Sequence, residues 1–348
     1  MFHSAHSTMR RVRLHSLGLD QPLTVEDNQP IPTPTGAELL LEVDATGVCH
    51  RDIIDRTGGA PFIRLPITLG HEVAGRVIAA GPDAHRFRPG DRVATLHRDA
   101  CNQPDCTACT LGETSLCQRA MHVFGILADG GYASHLIAPE SALYPIPAGV
   151  PADEAAILHC TFGTAYRGLR TAGCGPGKTA LIVGAAGGVG SAALEVATRM
   201  GARTVAVVRD ARHREHCLGL GADRVVVAPD NAFHKHSDAV GADLALDCVG
   251  QPTLDATLRS LRLGGTAIAI GNLVRERLPL NIGLIIVKAL RLIGSSGATA
   301  RDMAELLTLR GARPFATPRH SLPLADADAA HHQLRTPGAV HGRLVLRP

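Results

Sequence analysis

Four cysteines, Cys101, Cys106, Cys109 and Cys117, fall within seventeen residues of this 348-residue chain. Their spacing is C-x4-C-x2-C-x7-C, on a segment broken by Pro104 and Gly112. Four thiolates gathered by a short loop suit a closed tetrahedral Zn²⁺ site with no open position. Such a knuckle staples a fold and does not name a reaction. Three further fragments carry chemistry-bearing side chains: Gly47-Val48-Cys49-His50-Arg51-Asp52, Gly70-His71-Glu72 and Cys160-Thr161-Phe162-Gly163-Thr164-Ala165. Alone, a single His or Cys in any of them reads more readily as a core residue than as a ligand. Cys174, Cys217 and Cys248 lie outside both groups and read as ordinary partly buried thiols.

A different chemistry is written after the apolar run Ala180-Leu181-Ile182-Val183. There Gly184-Ala185-Ala186-Gly187-Gly188-Val189-Gly190 leads into a segment of helical composition. A lone glycine motif is weak, but this one has a strand before it and a helix after it. Glycines at 184, 187, 188 and 190, with Val189, would let backbone N–H groups approach a pyrophosphate at the helix N-terminus. The ribose reader should stand at the end of the next strand, about 20 residues on. That position is Arg209, where NAD-binding proteins place an acid. A cation there suits a 2′-phosphate, with Arg212 and Arg214 as helpers, so NADP(H) is favoured over NAD(H). The neighbouring Asp210 offers the alternative, an acceptor for a 2′-hydroxyl.

These residues need scaffolds of two kinds. The first ~160 residues are rich in Gly, Pro and short β-like runs, among them Leu39–Val43, Glu72–Ile78 and Arg92–Leu96, separated by turn signals. From Lys178 to Ser295, strands (Lys178–Val183, Thr204–Val208, Ala242–Cys248, Thr266–Ile270) alternate with helix-length segments such as Ser191–Met200. Alternation of that kind predicts a parallel sheet with helices on both faces. The last ~50 residues hold a helix-like segment, Ala300–Leu309, and a closing strand, Gly342–Leu346, with the texture of the first part. The expected organisation is a β-rich domain over 1–160, rejoined by 297–348, and a doubly wound nucleotide-binding domain over 161–296.

Composition narrows the classes. Net charge is +3 with His neutral, which makes no electrostatic case for nucleic acid or an anionic membrane. No apolar run reaches the ~18 residues of a membrane span. The first residues lack the apolar core of a secretory signal and read as a short disordered leader before a strand at Arg10–His15. Nine cysteines, four of them clustered, read as cytosolic thiols and metal ligands rather than a disulfide framework, so a cytoplasmic location is expected. Tryptophan is absent and aromatics are 3%, which argues against a base- or sugar-stacking surface.

In this order, the fragments, the cysteine knuckle and the glycine loop resemble the zinc-containing medium-chain dehydrogenase/reductase family. The resemblance runs from about Met9 to Arg347 and includes the closing Gly342-Arg343-Leu344-Val345-Leu346. It implies a GroES-like catalytic domain beside a Rossmann domain. It also implies that Cys49, His71 and Cys160 bind a catalytic zinc with a fourth position for water or a substrate oxygen. Two thiolates and an imidazole would leave a net neutral, open Lewis-acid site. Glu72 would lie near the metal as a transient ligand. Asp52 would accept the other N–H of His71 and fix the ring. Thr164 would stand near the nicotinamide, and Arg343 and His50 near the cofactor pyrophosphate. Homodimers or homotetramers are implied, joined at the edges of the nucleotide-domain sheets, with Leu290-Arg291-Leu292-Ile293 the candidate edge.

Two departures from the family pattern matter. The knuckle has four residues between its first two cysteines where the family usually has two. Either residues among Asn102 to Asp105 bulge out and leave four ligands, or Asp105 or one cysteine falls outside the site. Second, Arg51 stands where alcohol dehydrogenases of the family place a proton-relaying Ser or Thr, and Ile54 where some place a relay His. Guanidinium does not release its proton in proteins and accepts no hydrogen bond. Either water carries the proton while Arg51 holds a phosphate or carboxylate, or the reaction is not alcohol oxidation. Ile54-Asp55-Arg56-Thr57-Gly58-Gly59-Ala60-Pro61-Phe62, Gly271-Asn272 and Ile293-Gly294-Ser295-Ser296-Gly297-Ala298-Thr299 are similar to a branch containing acryloyl-CoA reductase-like proteins. The leading expectation is hydride transfer between NADP(H) and an alcohol, aldehyde or ketone at zinc. Substrate bound between the two domains would be shielded from bulk water. The alternative is NADPH-dependent reduction of an α,β-unsaturated thioester, with Arg51 steadying the enolate. A non-catalytic, lens-type protein of the same fold has no need of the Cys49, His71 and Cys160 set.

Overall fold

Strand-forming runs in the first part of the chain assemble because each has one face to bury. In a computed structural model, which describes residues 8–119, 121–273, 277–336 and 338–348, the chain divides into two compact units. One runs to Cys160 and resumes at Arg319, and the other spans Thr161–Pro318.

The first unit is built on Glu38–Val48, whose sequence ELLLEVDATGV is buried at most positions. It pairs antiparallel with Glu72–Ala80, with His135–Pro139 and with Arg343–Arg347. The mixed sheet runs Arg319–Pro323, Arg343–Arg347, Glu38–Val48, Glu72–Ala80, Arg92–Thr95, Leu143–Pro145. Two register shifts in the Glu38–Val48 pairing, at Leu40/Leu41 and Val43/Ala45, bend the sheet as bulges do. Thr24–Pro30, Thr8–Leu14 and Ile67–Thr68 form a smaller sheet. Beneath it Val12, Leu14, Leu69 and Tyr132 pack with Leu324, Ala327, Leu344 and Leu346, so the end of the chain closes the core begun by its start. The leader expected before Arg10 lies outside the described residues as far as position 7, and the strand already begins at Thr8. Thr24–Pro30 has no apolar periodicity. It is an edge strand with no buried residue and shows no hydrophobic signal.

The second unit holds six parallel strands in the order Arg224–Val227, Arg203–Val208, Thr179–Val183, Ala242–Asp247, Leu261–Ala269, Arg291–Gly294. Its central strands are apolar and buried at most positions, as expected of a parallel sheet covered on both faces. Strand order reverses between Thr179–Val183 and Ala242–Asp247, the place where such sheets bind nucleotides. This is a GroES-like unit plus a Rossmann-type sheet.

The expected return at 297 occurs at Arg319 instead. Ala300–Arg310 is a helix of the second unit, opened by a capping box of Thr299 and Asp302. The buried Asp302 carboxylate accepts from Arg167 Nη1 at 2.9 Å and Arg170 Nη2 at 2.7 Å. Those ion pairs anchor the segment where its texture suggested the other unit. Among the described residues no helix is long and apolar enough to cross a membrane.

Candidate active site

Cys49 ends the Glu38–Val48 strand and caps the helix His50–Arg56. Its Sγ accepts from Arg51 N at 3.4 Å, while Asp52 Oδ2 accepts from Cys49 N at 2.9 Å. Across the sheet, Gly47 stands opposite Glu72. A Cβ on Gly47 would lie 2.2 Å from Glu72 Oε2, so only glycine leaves the carboxylate its place. Cys160 comes from a π-helical turn, Leu158–Gly163, a wide turn often found at functional sites. One donor atom each of Cys49, His71, Glu72 and Cys160 thereby falls within 4.8 Å of the others. Cys49 Sγ and Cys160 Sγ are 3.9 Å apart, and His71 Nε2 is 3.4 Å from Cys160 Sγ.

The electrostatics fit a cation. His71 donates from Nδ1 to Asp52 Oδ1 at 2.9 Å, which turns Nε2 toward the thiols. Burial disfavours its charged form, but Asp52 and Cys49 outweigh that and hold its pKa well above the ordinary value. The hydrogen bond from Cys160 pulls the Cys49 thiol down, and Cys49 in turn pushes Cys160 up, so the two thiols titrate as a pair. Burial raises the pKa of Glu72 to about 7 against the pull of Arg343. Glu72 Oε1 takes a short hydrogen bond from Arg343 Nη2, whereas Oε2 is buried with no partner. Two thiols, an imidazole and an unsatisfied carboxylate oxygen are a donor set for zinc, with Glu72 as its variable member.

Arg343 is 4% exposed and donates to Glu72, which ties it to the donor set. His50 starts the helix beside Cys49, and burial lowers its pKa. Arg51 extends from the same turn, its Nε 2.7 Å from the buried Asp55. His97 carries no motif in the sequence, yet its ring centroid lies 4.8 Å from that of His71, and its Nε2 is buried without a partner. Burial, then the charges of His71 and Arg51, push His97 well below its ordinary pKa, so it is neutral.

The knuckle keeps all four cysteines. Cys101, Cys106, Cys109 and Cys117 form the second group of potential ligands. Residues 102–105 bulge outward, with Asn102 at φ 49°. Asp105 is 69% exposed and turned to Arg119, at 2.6 and 3.0 Å, so it lies apart from the ligand group.

In the second unit, Gly184 (φ 76°) turns the chain out of Thr179–Val183, and Gly187 caps the helix Gly188–Arg199, which carries Val189. A Cβ on Gly190 would sit 2.2 Å from Gly184 O, so this close helix–loop approach requires glycine. Arg209 follows Arg203–Val208, exposed and without a partner among the described residues, as is Arg214. Asp210 is occupied: it accepts from Arg212 N and pairs with Arg212 Nε at 3.1 Å. Thr164 opens the helix Thr164–Thr171, and its carbonyl accepts from Ser295 Oγ at 3.0 Å.

A GroES-like unit with a two-thiol, one-imidazole donor set, in a chain that also holds a Rossmann-type sheet, defines a zinc-dependent oxidoreductase. Residues 35–148 match the family model described as alcohol dehydrogenase GroES-like domain, and residues 188–310 that of zinc-binding dehydrogenase. The chain is 34% identical to acryloyl-coenzyme A reductase of Metallosphaera sedula over 80% of this chain and 82% of that one. It is 33% identical to an NAD-dependent alcohol dehydrogenase of Sulfurisphaera tokodaii over 98% and 100%. A crystal structure of AibC is similar with TM-score 0.89 and 39% identity, covering 100% of this chain and 99% of that one. The chain belongs to the zinc-binding medium-chain dehydrogenase/reductase family, the family of zinc alcohol dehydrogenases. Membership implies Zn²⁺ and a nicotinamide cofactor.

Replacing Cys49 tests the donor set. Cys49→Ala should lower bound zinc by one atom per chain by elemental analysis and abolish turnover, with the far-UV spectrum unchanged. Retained activity would contradict a ligand role.

Proposed function

We propose that this oxidoreductase uses NADPH to reduce an α,β-unsaturated acyl thioester, adding hydride at the β-carbon and a proton at the α-carbon. The observation that carries the reading is Arg51. A permanently protonated guanidinium, braced by Asp55, stands where a dehydrogenase relay needs a hydroxyl. It is poor machinery for passing a proton from an alcohol. It is good machinery for negative charge growing on a thioester oxygen during hydride addition. His97 adds a neutral polar group to the same neighbourhood. The acryloyl-coenzyme A reductase relative supports the same direction. Bound zinc supplies a Lewis acid here and the reduced nicotinamide supplies hydride. The chain's own residues hold the donor set, fix His71 and supply the cation. A second reading, reduction of aldehydes or ketones with water carrying the proton, draws support from the alcohol dehydrogenase relative that spans nearly the whole chain.

For the cofactor, exposed Arg209 and occupied Asp210 favour a 2′-phosphate and hence NADP(H), although the Sulfurisphaera relative is named NAD-dependent. For assembly, we infer a homo-oligomer joined at Arg291–Gly294, the outer strand of the parallel sheet. Leu292 on it and Ile282, Ile286 and Val287 on the neighbouring helix are all exposed, Val287 by 79%. Apolar side chains clustered at an open sheet edge mark an association surface.

NADPH oxidation against acryloyl- and crotonyl-thioesters beside simple aldehydes and ketones should proceed with the thioesters. Turnover of the carbonyl compounds alone would establish the second reading. Arg51→Gln keeps a donor for Asp55 but removes the charge. It should cost roughly 10²–10³-fold in thioester kcat/KM, the usual cost of losing one charge-stabilising donor. Arg209→Asp should raise the KM for NADPH by about 10-fold or more, the scale of one charged hydrogen bond, and leave that for NADH nearly unchanged. Equal effects on both would sink the assignment. Ile286→Glu combined with Val287→Glu should shift sedimentation toward the monomer; an unchanged distribution would place the interface elsewhere.

A further inference from the structure

Asp52 does more than face His71. Its buried carboxylate takes three donors: His71 Nδ1 on Oδ1 at 2.9 Å, and Cys49 N at 2.9 Å and the Tyr132 hydroxyl at 3.1 Å on Oδ2. The hydroxyl of Tyr132 also lies 3.1 Å from His331 Nε2. Both side chains are fully buried, and their rings meet edge to face with centroids 5.7 Å apart. Neither is one of the metal-ligating residues, and no cofactor-binding motif contains them.

The proton positions along this chain follow from counting. An ionised carboxylate only accepts, and a tyrosine hydroxyl has one proton. Tyr132 therefore gives its proton to Asp52 and must accept from His331. That requires His331 to carry its proton on Nε2. His331 Nδ1 is buried with no partner, which suits a bare acceptor nitrogen better than an N–H, because an orphaned donor costs more. Burial also keeps His331 neutral, with its pKa lowered to about 4. The chain then reads His331 Nε2–H to Tyr132 Oη–H to Asp52 to His71. With Oδ2 saturated by two donors, Oδ1 is left for His71 Nδ1–H, which turns Nε2 toward the two thiols.

The backbone holds this geometry stiffly. Tyr132 N donates to Leu69 O at 2.9 Å, and Val12 N donates to Tyr132 O at 2.8 Å. Gly70, directly before His71, has φ 96°, and a Cβ there would lie 2.5 Å from the Tyr132 ring. The strand carrying the ligand and the ring that braces Asp52 are therefore packed against each other. His331 arrives on the helix Ala327–Arg335, which belongs to the same unit.

We propose that Tyr132 and His331 are positioning residues for the catalytic zinc, locking His71 in the tautomer that presents Nε2 to the metal. The proposal rests on reading Cys49, His71 and Cys160 as a metal site and is independent of the substrate. Outer partners of a zinc-bound imidazole typically change metal affinity by about 10–100-fold. Zinc release from purified holoenzyme into excess colorimetric chelator gives the test, with the Cys49→Ala protein identifying the phase that belongs to the catalytic ion. Tyr132→Phe and His331→Leu should speed that phase by about 10-fold, within the range for such outer partners, and leave the knuckle phase unchanged. His331→Gln retains an N–H donor toward Tyr132 and should restore the slow phase. In ¹⁵N-histidine-labelled holoenzyme, His331 should show a neutral, Nε2-protonated ring. Wild-type release rates in folded Tyr132→Phe and His331→Leu, a His331→Gln protein no better than His331→Leu, or a His331 ring protonated at Nδ1 would each overturn the proposal. If Tyr132→Phe does not fold, the two His331 variants decide alone. A wild-type protein holding only the knuckle zinc would overturn the metal reading itself, and the proposal with it.

Discussion

Two thiols, an imidazole and a carboxylate buried within 4.8 Å of one another cannot all take their deprotonated, ligating forms in a dry interior without a cation. The protein's first unit is organised around that constraint. The groups perturb one another accordingly: Cys49 is pulled down, Cys160 and His71 are pushed up, and Glu72 is held on Arg343. A bound divalent ion would relieve the conflict, with Cys49, Cys160 and His71 as the residues that would hold it. Metal binding and proton release are thus coupled in this pocket.

The scaffold serves this demand at several scales. Antiparallel pairing of Glu38–Val48 with Glu72–Ala80 brings Cys49 beside His71, and Gly47 clears the space for Glu72. A π-helical turn presents Cys160. The closing strand Arg343–Arg347 returns to the same sheet and delivers the guanidinium that neutralises Glu72. In the other unit the glycine loop depends on close backbone approach at Gly190, and Arg209 stands exposed just after the next strand. Cys49, His71 and Arg209 sit at strand ends, where the backbone is fixed on one side and open on the other.

Much of this was legible in the sequence, for identifiable reasons. The cysteine spacing, the glycine loop after an apolar run, and the ligand fragments are local patterns; the structure gathers the thiol and imidazole donors into two groups and sets the glycines between a strand and a helix. Burial on both faces made the strands of the parallel sheet conspicuous. What escaped depends on contacts distant in sequence. Tyr132 and His331 meet across 199 positions, and nothing in either neighbourhood announces it. The helix Ala300–Arg310 was assigned to the wrong unit because its allegiance is set by Asp302 reaching Arg167 and Arg170. His97 has no motif around it in the sequence, and only the fold brings its ring against His71.

The two donor groups would hold two chemically distinct zinc ions, one on four thiolates and one on a mixed sulfur and nitrogen set. Zinc K-edge X-ray absorption of the purified protein tests this directly. The predicted result is two zinc atoms per chain with an average first shell of about three sulfurs near 2.3 Å and about one nitrogen or oxygen near 2.0–2.1 Å. A shell of sulfur alone, with one zinc per chain, would mean that Cys49, His71 and Cys160 hold no metal, and the account would be wrong at its centre.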